Sequence, residues 1–561
     1  MSRPIRIANA GGYWGDDPDA PRRQLLGGPI DYLTIDALAE VTMVILEKLR
    51  AKDPSRGYAT DVVGSLAPLL PELARRGVRV VTNAGGVNPD ACADALEAAA
   101  KTRGLSPRIA VVGGAEVDAA RLAPPHADTG EPFSGIAPFV ATSHAYLGAR
   151  GIAMALGKGA EIVVTGRVAD ASLVLGPLVH EHGWRWDDWD RLAAGTIAGH
   201  VLECGAQATG GNLTDWRGIP FDEIGYPITE VAADGRFAIT KHPGSGGRVS
   251  RETVTEQLLY EIGDPRRYET PDVTADFTSI AIRDDGADRV VVEGARGTPA
   301  PVTLKAGVSW SAGWRSAGTY LVGPPDAEEK ARALAQLLWK RAGRFDETST
   351  ELFGGAHAFL RLAVRDADRQ KVEAFSRRFA SYALSGPPGL TIPGGGRPPV
   401  VEAFGFWPAR IARESVAPWV SIGGERIAYD ESVVRSGEAE RPAPRVSELS
   451  EEEVLATGRR VPLVSLAFAR SGDKGDNANI GVAARSESAY RALGRVLTPD
   501  LVRSAFAAEC AGEVRRCELP NLLAFNFVLT RALGGGGTLS LRSDPQGKLF
   551  AQRLLATEVV L

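Results

Sequence analysis

Two copies of one tetrapeptide set the strongest limit on what this chain can fold into. Ile5-Arg6-Ile7-Ala8 runs into Asn9-Ala10-Gly11-Gly12, and Val78-Arg79-Val80-Val81-Thr82 runs into Asn83-Ala84-Gly85-Gly86. Arg108 to Val112 leads likewise into Gly113-Gly114, and Glu161 to Thr165 into Gly166-Arg167. Short apolar runs that end in glycine and alternate with alanine-rich helical stretches, such as Asp31 to Lys52 and Pro89 to Arg103, predict a parallel sheet with covering helices. Ligands of such sheets bind beyond the carboxyl ends of the strands, where glycine lets a ligand approach the backbone. Asn9, Gly11, Gly12, Asn83, Gly85 and Gly86 are therefore expected on one binding rim. None of these turns is GxGxxG opening a helix, and there is no Walker loop, so the nucleotide-binding fingerprints are missing.

With 561 residues the chain is too long for one core. The expected class is α/β: a Rossmann-like, parallel-sheet large domain over residues 1–435, with lobes of about 1–265 and 266–435. The second lobe is expected to be α+β, because period-two strands begin near Thr274, including Val302 to Trp310 and Thr319 to Val322. Residues 436–460, rich in Glu, Pro, Ser and Arg, read as a linker with one short helix. Residues 461–561 are expected to form a small α/β sandwich, with further strands near Thr538 to Leu541 and Phe550 to Val560.

The densest chemistry lies between Thr165 and Asn212. A helix opening at Asp187 or Asp188 and reaching about Ala208 would carry His200, Glu203, Cys204 and Gln207 at i, i+3, i+4 and i+7, on one face. Arg167 and Asp170, at the carboxyl edge of the sheet, would face the same cleft if that helix returns over the fourth strand. Two chemistries fit. Cys204 can be a nucleophile whose thiolate His200 stabilises; or Glu203 and His200 can be acid and base, with Cys204 only packing.

Two glycine-rich stretches carry fixed cations beside free backbone donors, a combination suited to phosphate or carboxylate. The first, Lys241-His242-Pro243-Gly244-Ser245-Gly246-Gly247-Arg248, offers Lys241 and Arg248. The second, Arg470-Ser471-Gly472-Asp473-Lys474-Gly475-Asp476-Asn477-Ala478-Asn479, reads as a turn between strands. It adds Arg470, Ser471, Asp473, Lys474, Asp476, Asn477 and Asn479 to the expected binding set, together with Asn212. Asp170, Asp473 and Asp476 lack the regular ligand spacing of a calcium loop, and the seven histidines show no HExxH, so no metal is expected.

Lys plus Arg number 64 against 69 Asp plus Glu, a net charge of −5, which gives no global reason to expect nucleic acid or an anionic membrane as partner. Four cysteines form no CxxC pair and no disulfide framework, and no apolar run is long enough for a membrane span. A reducing, cytoplasmic setting is expected.

The segments Asn9 to Gly12, Thr165-Gly166-Arg167-Val168-Ala169-Asp170, Gly199-His200-Val201-Leu202-Glu203-Cys204-Gly205 and Arg470 to Asp476 together resemble the acyclic terpene utilisation AtuA family over almost the whole length. The resemblance implies a bacterial protein of acyclic terpene breakdown (citronellol, geraniol), in a pathway run on branched acyl-CoA intermediates with a biotin carboxylase. It implies a ferredoxin-fold-like last domain and carries over no catalytic residue. The expected function is therefore an enzyme acting on an acyl-CoA or related branched acid by hydration/dehydration, another lyase-type step or thioester cleavage. The alternative is a non-catalytic acyl-CoA-binding or assembly subunit for a carboxylase. Beyond the CoA moiety of a substrate no cofactor is implied; further copies of the chain and a pathway carboxylase are the expected protein partners.

Overall fold

The computed structural model describes residues 3–432 and 458–561. Five strands form the parallel centre of an 11-stranded sheet: Ile5–Asn9, Tyr32–Ile35, Arg79–Thr82, Ile162–Thr165 and Ile109–Gly113, in that spatial order. They are buried along almost their whole length, as strands covered on both faces must be. Alternate side chains divide between two cores. Ile7, Tyr32, Val81, Ala110 and Val163 meet the helices Arg150–Gly157, Ser172–His182 and Trp189–Leu202. Ala8, Leu33, Val80, Val111 and Val164 meet the helices Thr60–Leu66, Leu70–Arg76 and Pro89–Lys101.

The parallel expectation holds for this centre only. Ile228–Val231 adds antiparallel to Ile5–Asn9 on one side, and Trp419–Ile422 adds antiparallel to Ile109–Gly113 on the other. The sheet is mixed, and its antiparallel pairings outnumber the parallel ones. The protein is thus mixed α/β with several sheets.

One expected helix hides a strand. Asp31 to Lys52 divides into the strand Tyr32–Ile35 and the helix Glu40–Lys52. A four-residue apolar run cannot be told from a helical turn by periodicity alone, and its β-branched and aromatic content, with burial on both faces, decides for strand. The strands expected at Val302 to Trp310 and Thr319 to Val322 are one strand, Thr303–Val322. It is the spine of a six-stranded antiparallel sheet, pairing with Val140–Ala145, Ala358–Asp366 and Val400–Ala412.

The last domain is a four-stranded antiparallel sheet in the order Ala467–Lys474, Asn477–Ala484, Ala524–Leu529, Val514–Leu519, backed by helices. What reads as an irregular turn from Arg470 to Asn479 is a regular hairpin, Arg470 opposite Gly481 and Lys474 opposite Asn477. Its two-residue tip is Gly475-Asp476, with Gly475 at φ 63 as such a tip requires. Thr538 to Leu541 is not a strand, and Phe550 to Val560 is a helix, Phe550–Leu555, followed by the strand Glu558–Val560. The expected linker, 436–460, lies outside the described residues as far as 457.

Buried polar contacts fasten the last domain to the first. Arg470 pairs with Glu256 at 2.9 Å, both nearly inaccessible. Asn526 donates to the carbonyls of Ile262 and Gly263, and Asn521 to those of Phe277 and Ile280.

Candidate functional site

The two densest motifs of the sequence meet in one place. A cleft of about 710 Å³ opens over the carboxyl ends of the parallel strands and is closed from the other side by the hairpin of the last domain. Its volume is in the usual range for a small-molecule site.

Each strand end delivers its own group. After Tyr32–Ile35 comes Asp36, whose Oδ1 accepts from Asn83 Nδ2 at 2.7 Å and from the Leu38 N–H at 3.1 Å. After Ile162–Thr165 comes Arg167, buried, with Nη1 2.9 Å from Asp170 and its guanidinium 4.3 Å from the Tyr146 ring centre. The helix Trp189–Leu202 stops six residues short of its expected end, at Leu202 rather than Ala208, and a 3-10 turn Gly205–Thr209 follows. Glu203, Cys204 and Gln207 line the cleft from this junction. His200 does not line it: the ring is fully buried behind Glu203. Its Nε2 lies 3.1 Å from the Gln257 carbonyl, an acceptor, so Nε2 carries a hydrogen; Nδ1 faces Glu203 Oε1 at 3.1 Å and the Tyr268 hydroxyl at 3.3 Å. The Tyr268 hydroxyl can donate to Nδ1, and Glu203 lies within hydrogen-bond reach of the same nitrogen.

Of the two roles open to Cys204, nucleophile and packing residue, its surroundings suit the second. None of these His200 contacts reaches the thiol, and burial, then Glu203 and Glu261, push the Cys204 pKa well up. A thiolate nucleophile is the form this environment opposes.

From the last domain come Asp473 and Lys474 on the hairpin, Lys548, and the turn Gly535 to Thr538. Lys548 is held against the Tyr260 hydroxyl, 3.2 Å from Glu261 and 3.5 Å from Asp473. Lys474 has no ion pair or side-chain hydrogen bond among the described residues. Its side chain is exposed to the water of the cleft and lies among the carboxyl groups that line it. Burial works against that charge, but Glu261, Glu203, Glu40 and Asp170 together outweigh it and raise the pKa. Burial, then Asp473, pushes Glu40 up to about 8. Burial, then Glu261, pushes Asp473 up to about 6. Burial, then Asp170, pushes Asp36 well up, and burial raises Glu203 against the pull of His200. Burial opposes the Glu261 charge too, but Lys548 and Lys474 hold its carboxyl below the usual range. The cleft thus holds carboxyl groups in both protonation states around one unpaired ammonium, which is the make-up of an acid/base site.

The glycine turn is held by the hairpin tip. Asp476 Oδ1 accepts from the N–H groups of Gly535 and Leu533. A Cβ on Gly536, at φ 66, would stand 2.0 Å from the Gly475 carbonyl oxygen, so only glycine fits. The N–H groups of Gly537 and Thr538 have no acceptor among the described residues.

The family model described as acyclic terpene utilisation family protein AtuA matches residues 5–422, and the AtuA ferredoxin-like domain matches residues 461–560. The chain belongs to the AtuA family. No curated protein matches it significantly. In this AtuA chain the cleft draws Asp36, Arg167 and Glu203 from the AtuA domain and Asp473, Lys474 and Lys548 from the ferredoxin-like domain.

The other expected residues are placed as follows. Asp170, Gly12, Asn212, Asp473 and Lys474 line the cleft with Glu203 and Arg167. Asn83 and Asp476 stand behind it and orient Asp36 and the glycine turn. Asn479 does the same for Glu261: it is buried, its Oδ1 accepts from the Glu261 N–H at 2.8 Å and its Nδ2 donates to Leu259 O at 2.7 Å. Ser471 ties the hairpin to the Gly547 carbonyl beside Lys548. Asn9 caps the Gly11 N–H and is buried. Gly11, Gly85 and Gly86 are not open to a ligand; a Cβ on Gly85 would meet the Thr165 carbonyl oxygen at 2.5 Å, so strand-to-loop packing requires that glycine. Asn477 reaches Asp128 instead of the cleft.

Three expected anion contacts lie elsewhere. Lys241 is buried and paired with Asp288 at 2.9 Å. Arg470 is spent on Glu256, Gln257 and the carbonyls of Gln207 and Gly211. Arg248 lines a separate groove with Arg251 and Arg485. Sequence reasoning passed over Asp36, Glu40, Tyr146, Tyr260, Glu261, Lys548 and the glycine turn. Only the run Gly534 to Gly537 carried a visible signal. Among the described residues no His, Cys, Asp or Glu side chains are grouped to hold a metal ion, and no helix is long and apolar enough to cross a membrane.

Proposed function

We propose that this chain is an acid/base enzyme of acyclic terpene and branched-acid breakdown, adding or removing water β to the carbonyl of a branched acid or its CoA thioester. The observation that carries the reading is Lys474: an ammonium without an ion-pair partner among the described residues, lining the cleft between Glu40, which burial keeps neutral, and Glu261, which Lys548 and Lys474 keep ionised. Such a cation offsets negative charge that builds on an acyl oxygen in the transition state.

In the dehydration direction Glu203, in its ionised form and backed by His200 at 3.1 Å, takes the α-proton. The electron pair passes toward the acyl oxygen, facing Lys474 and the N–H groups of Gly537 and Thr538. Its return to form the Cα–Cβ double bond expels the β-hydroxyl, which leaves as water with the proton of Glu40. Solvent then removes the proton from Glu203 and restores that of Glu40. Hydration runs the same steps in reverse.

The test is deuterium exchange at Cα, followed by NMR in D₂O over a panel of branched acids and their CoA thioesters. At least one member should exchange and turn over, and Glu203→Gln should slow both by about 10²–10⁴-fold. Tight binding of panel members with neither exchange nor turnover would instead favour a non-catalytic acyl-CoA-binding or assembly subunit.

A further inference from the structure

The seam between the two domains carries a second groove, of about 360 Å³, that shares no lining residue with the cleft. Arg248, Arg251 and Thr255 line it from the AtuA domain, and Arg485 from the ferredoxin-like domain. The helix Arg251–Leu258, capped by Ser250, carries Arg251 and Thr255 at i and i+4, on one face. Its next residue, Glu256, pairs with Arg470 and holds the helix against the strand Ala467–Lys474.

The charges of this groove do not cancel within the protein. Arg485 is spent, gripping Asp215 with both terminal nitrogens at 2.6 and 2.8 Å. Arg248 and Arg251 are half-buried, and among the described residues neither guanidinium has an ion pair or a hydrogen bond. The Arg248 Nε is itself buried and unpartnered. Beyond Asp215 the groove has one carboxylate, Glu252, so one positive charge is left over. Other enclosed arginines of this chain are matched: Arg413 donates to three carbonyls, and Arg470 is paired with Glu256. The groove also holds an unsatisfied hydroxyl. Thr255 is 1% exposed, and its Oγ1 has no hydrogen-bond partner. Buried polar groups in folded proteins are nearly always bonded, so one left over calls for a partner from outside the chain.

Two free guanidiniums and a free hydroxyl make a donor set for an anion. A phosphate has oxygens enough for all three, whereas a carboxylate has two, and arginine binds phosphate through paired N–H bonds. We infer that this groove binds the phosphate group of a small molecule, held by Arg248, Arg251 and Thr255. The inference is independent of the acid/base reading of the cleft.

Calorimetry on the full chain at low salt tests it with inorganic phosphate, glycerol 3-phosphate and acetate. Both phosphates should bind, less tightly as salt is added, and acetate about tenfold more weakly or worse. Arg248→Gln and Arg251→Gln should each weaken phosphate by about 10–100-fold, while Lys474→Met, in the cleft, should leave it unchanged. Thr255→Val keeps the shape and removes a hydroxyl that bonds nothing in the protein. Its melting temperature without phosphate should match that of the native chain, and its phosphate affinity should fall about 3–10-fold. Tighter binding of glycerol 3-phosphate than of inorganic phosphate would identify an ester as the source, and equal binding a free phosphate; both keep the inference. No binding of either phosphate, acetate bound as tightly, binding that survives both arginine variants, or a Thr255→Val variant that loses stability and keeps its affinity would each overturn it.

Discussion

Replacing Arg470 by methionine separates a structural cation from a ligand contact. Arg470 is 4% exposed and Glu256 1%. The guanidinium forms an ion pair with Glu256 at 2.9 Å and donates to Gln257 Oε1 and to the carbonyls of Gln207 and Gly211, at 3.0 to 3.3 Å. Methionine keeps most of the volume but leaves the Glu256 carboxylate buried with only Thr214 as partner. Breaking one side of such a pair costs about 3–5 kcal/mol. At roughly 2 °C per kcal/mol for a long chain, the thermal midpoint at pH 7.5 should fall by roughly 6–10 °C. The sign with pH follows from Glu256, whose pKa burial already raises despite Arg470. Without the arginine it rises further. Its ionisation then costs stability above the ordinary carboxylate range, and the loss shrinks as acid protonates it. Differential scanning fluorimetry at several pH values measures this, and the double variant Arg470→Met/Glu256→Gln should recover part of the loss. An unchanged midpoint together with lost ligand binding would refute the reasoning and return Arg470 to the binding set.

Four further outcomes are expected. Glu40, neutral below about 8, supplies a proton only in that form, so kcat/KM should fall as pH rises through about 8, and Glu40→Gln should lower activity and abolish that limb. Cys204→Ala should keep turnover within about tenfold of the native rate and form no acyl-enzyme visible by mass spectrometry; complete loss would revive the nucleophile. Asn479→Ala leaves the Glu261 N–H and the Leu259 carbonyl without their partner and should cost about 1–3 kcal/mol in urea unfolding. Gly536→Ala, facing the Gly475 oxygen at 2.0 Å, should weaken ligand binding more than it lowers stability, read by calorimetry beside the melting curve.

The parallel centre was legible because a strand buried on both faces is written locally, as a short apolar run that stops at glycine. So were the segments that carry Arg167, Asp170, Glu203, Asp473 and Lys474, where scarce polar types crowd together. Asp36 and Glu40 were lost with the strand Tyr32–Ile35, which merged in the reading with the helix after it. Once that strand is seen, Asp36 stands at the same rim as Arg167. Glu261 and Lys548 had no local signal. Glu261 becomes a cleft residue through a left-handed backbone at φ 54 fixed by Asn479, and Lys548 through packing of the last domain. Which cations remain free is likewise a tertiary fact: Lys241, Arg470 and Lys474 look alike in sequence, and only the partners Asp288 and Glu256 tell them apart.

The central claim, that Lys474 is the charge-stabilising group of one cleft built by both domains, is tested most directly by kcat/KM of Lys474→Met on the substrate that shows α-proton exchange, with folding checked by melting temperature. A fall of about 10²–10³-fold at an unchanged melting temperature is the result predicted here. Native kcat/KM in that variant would contradict it.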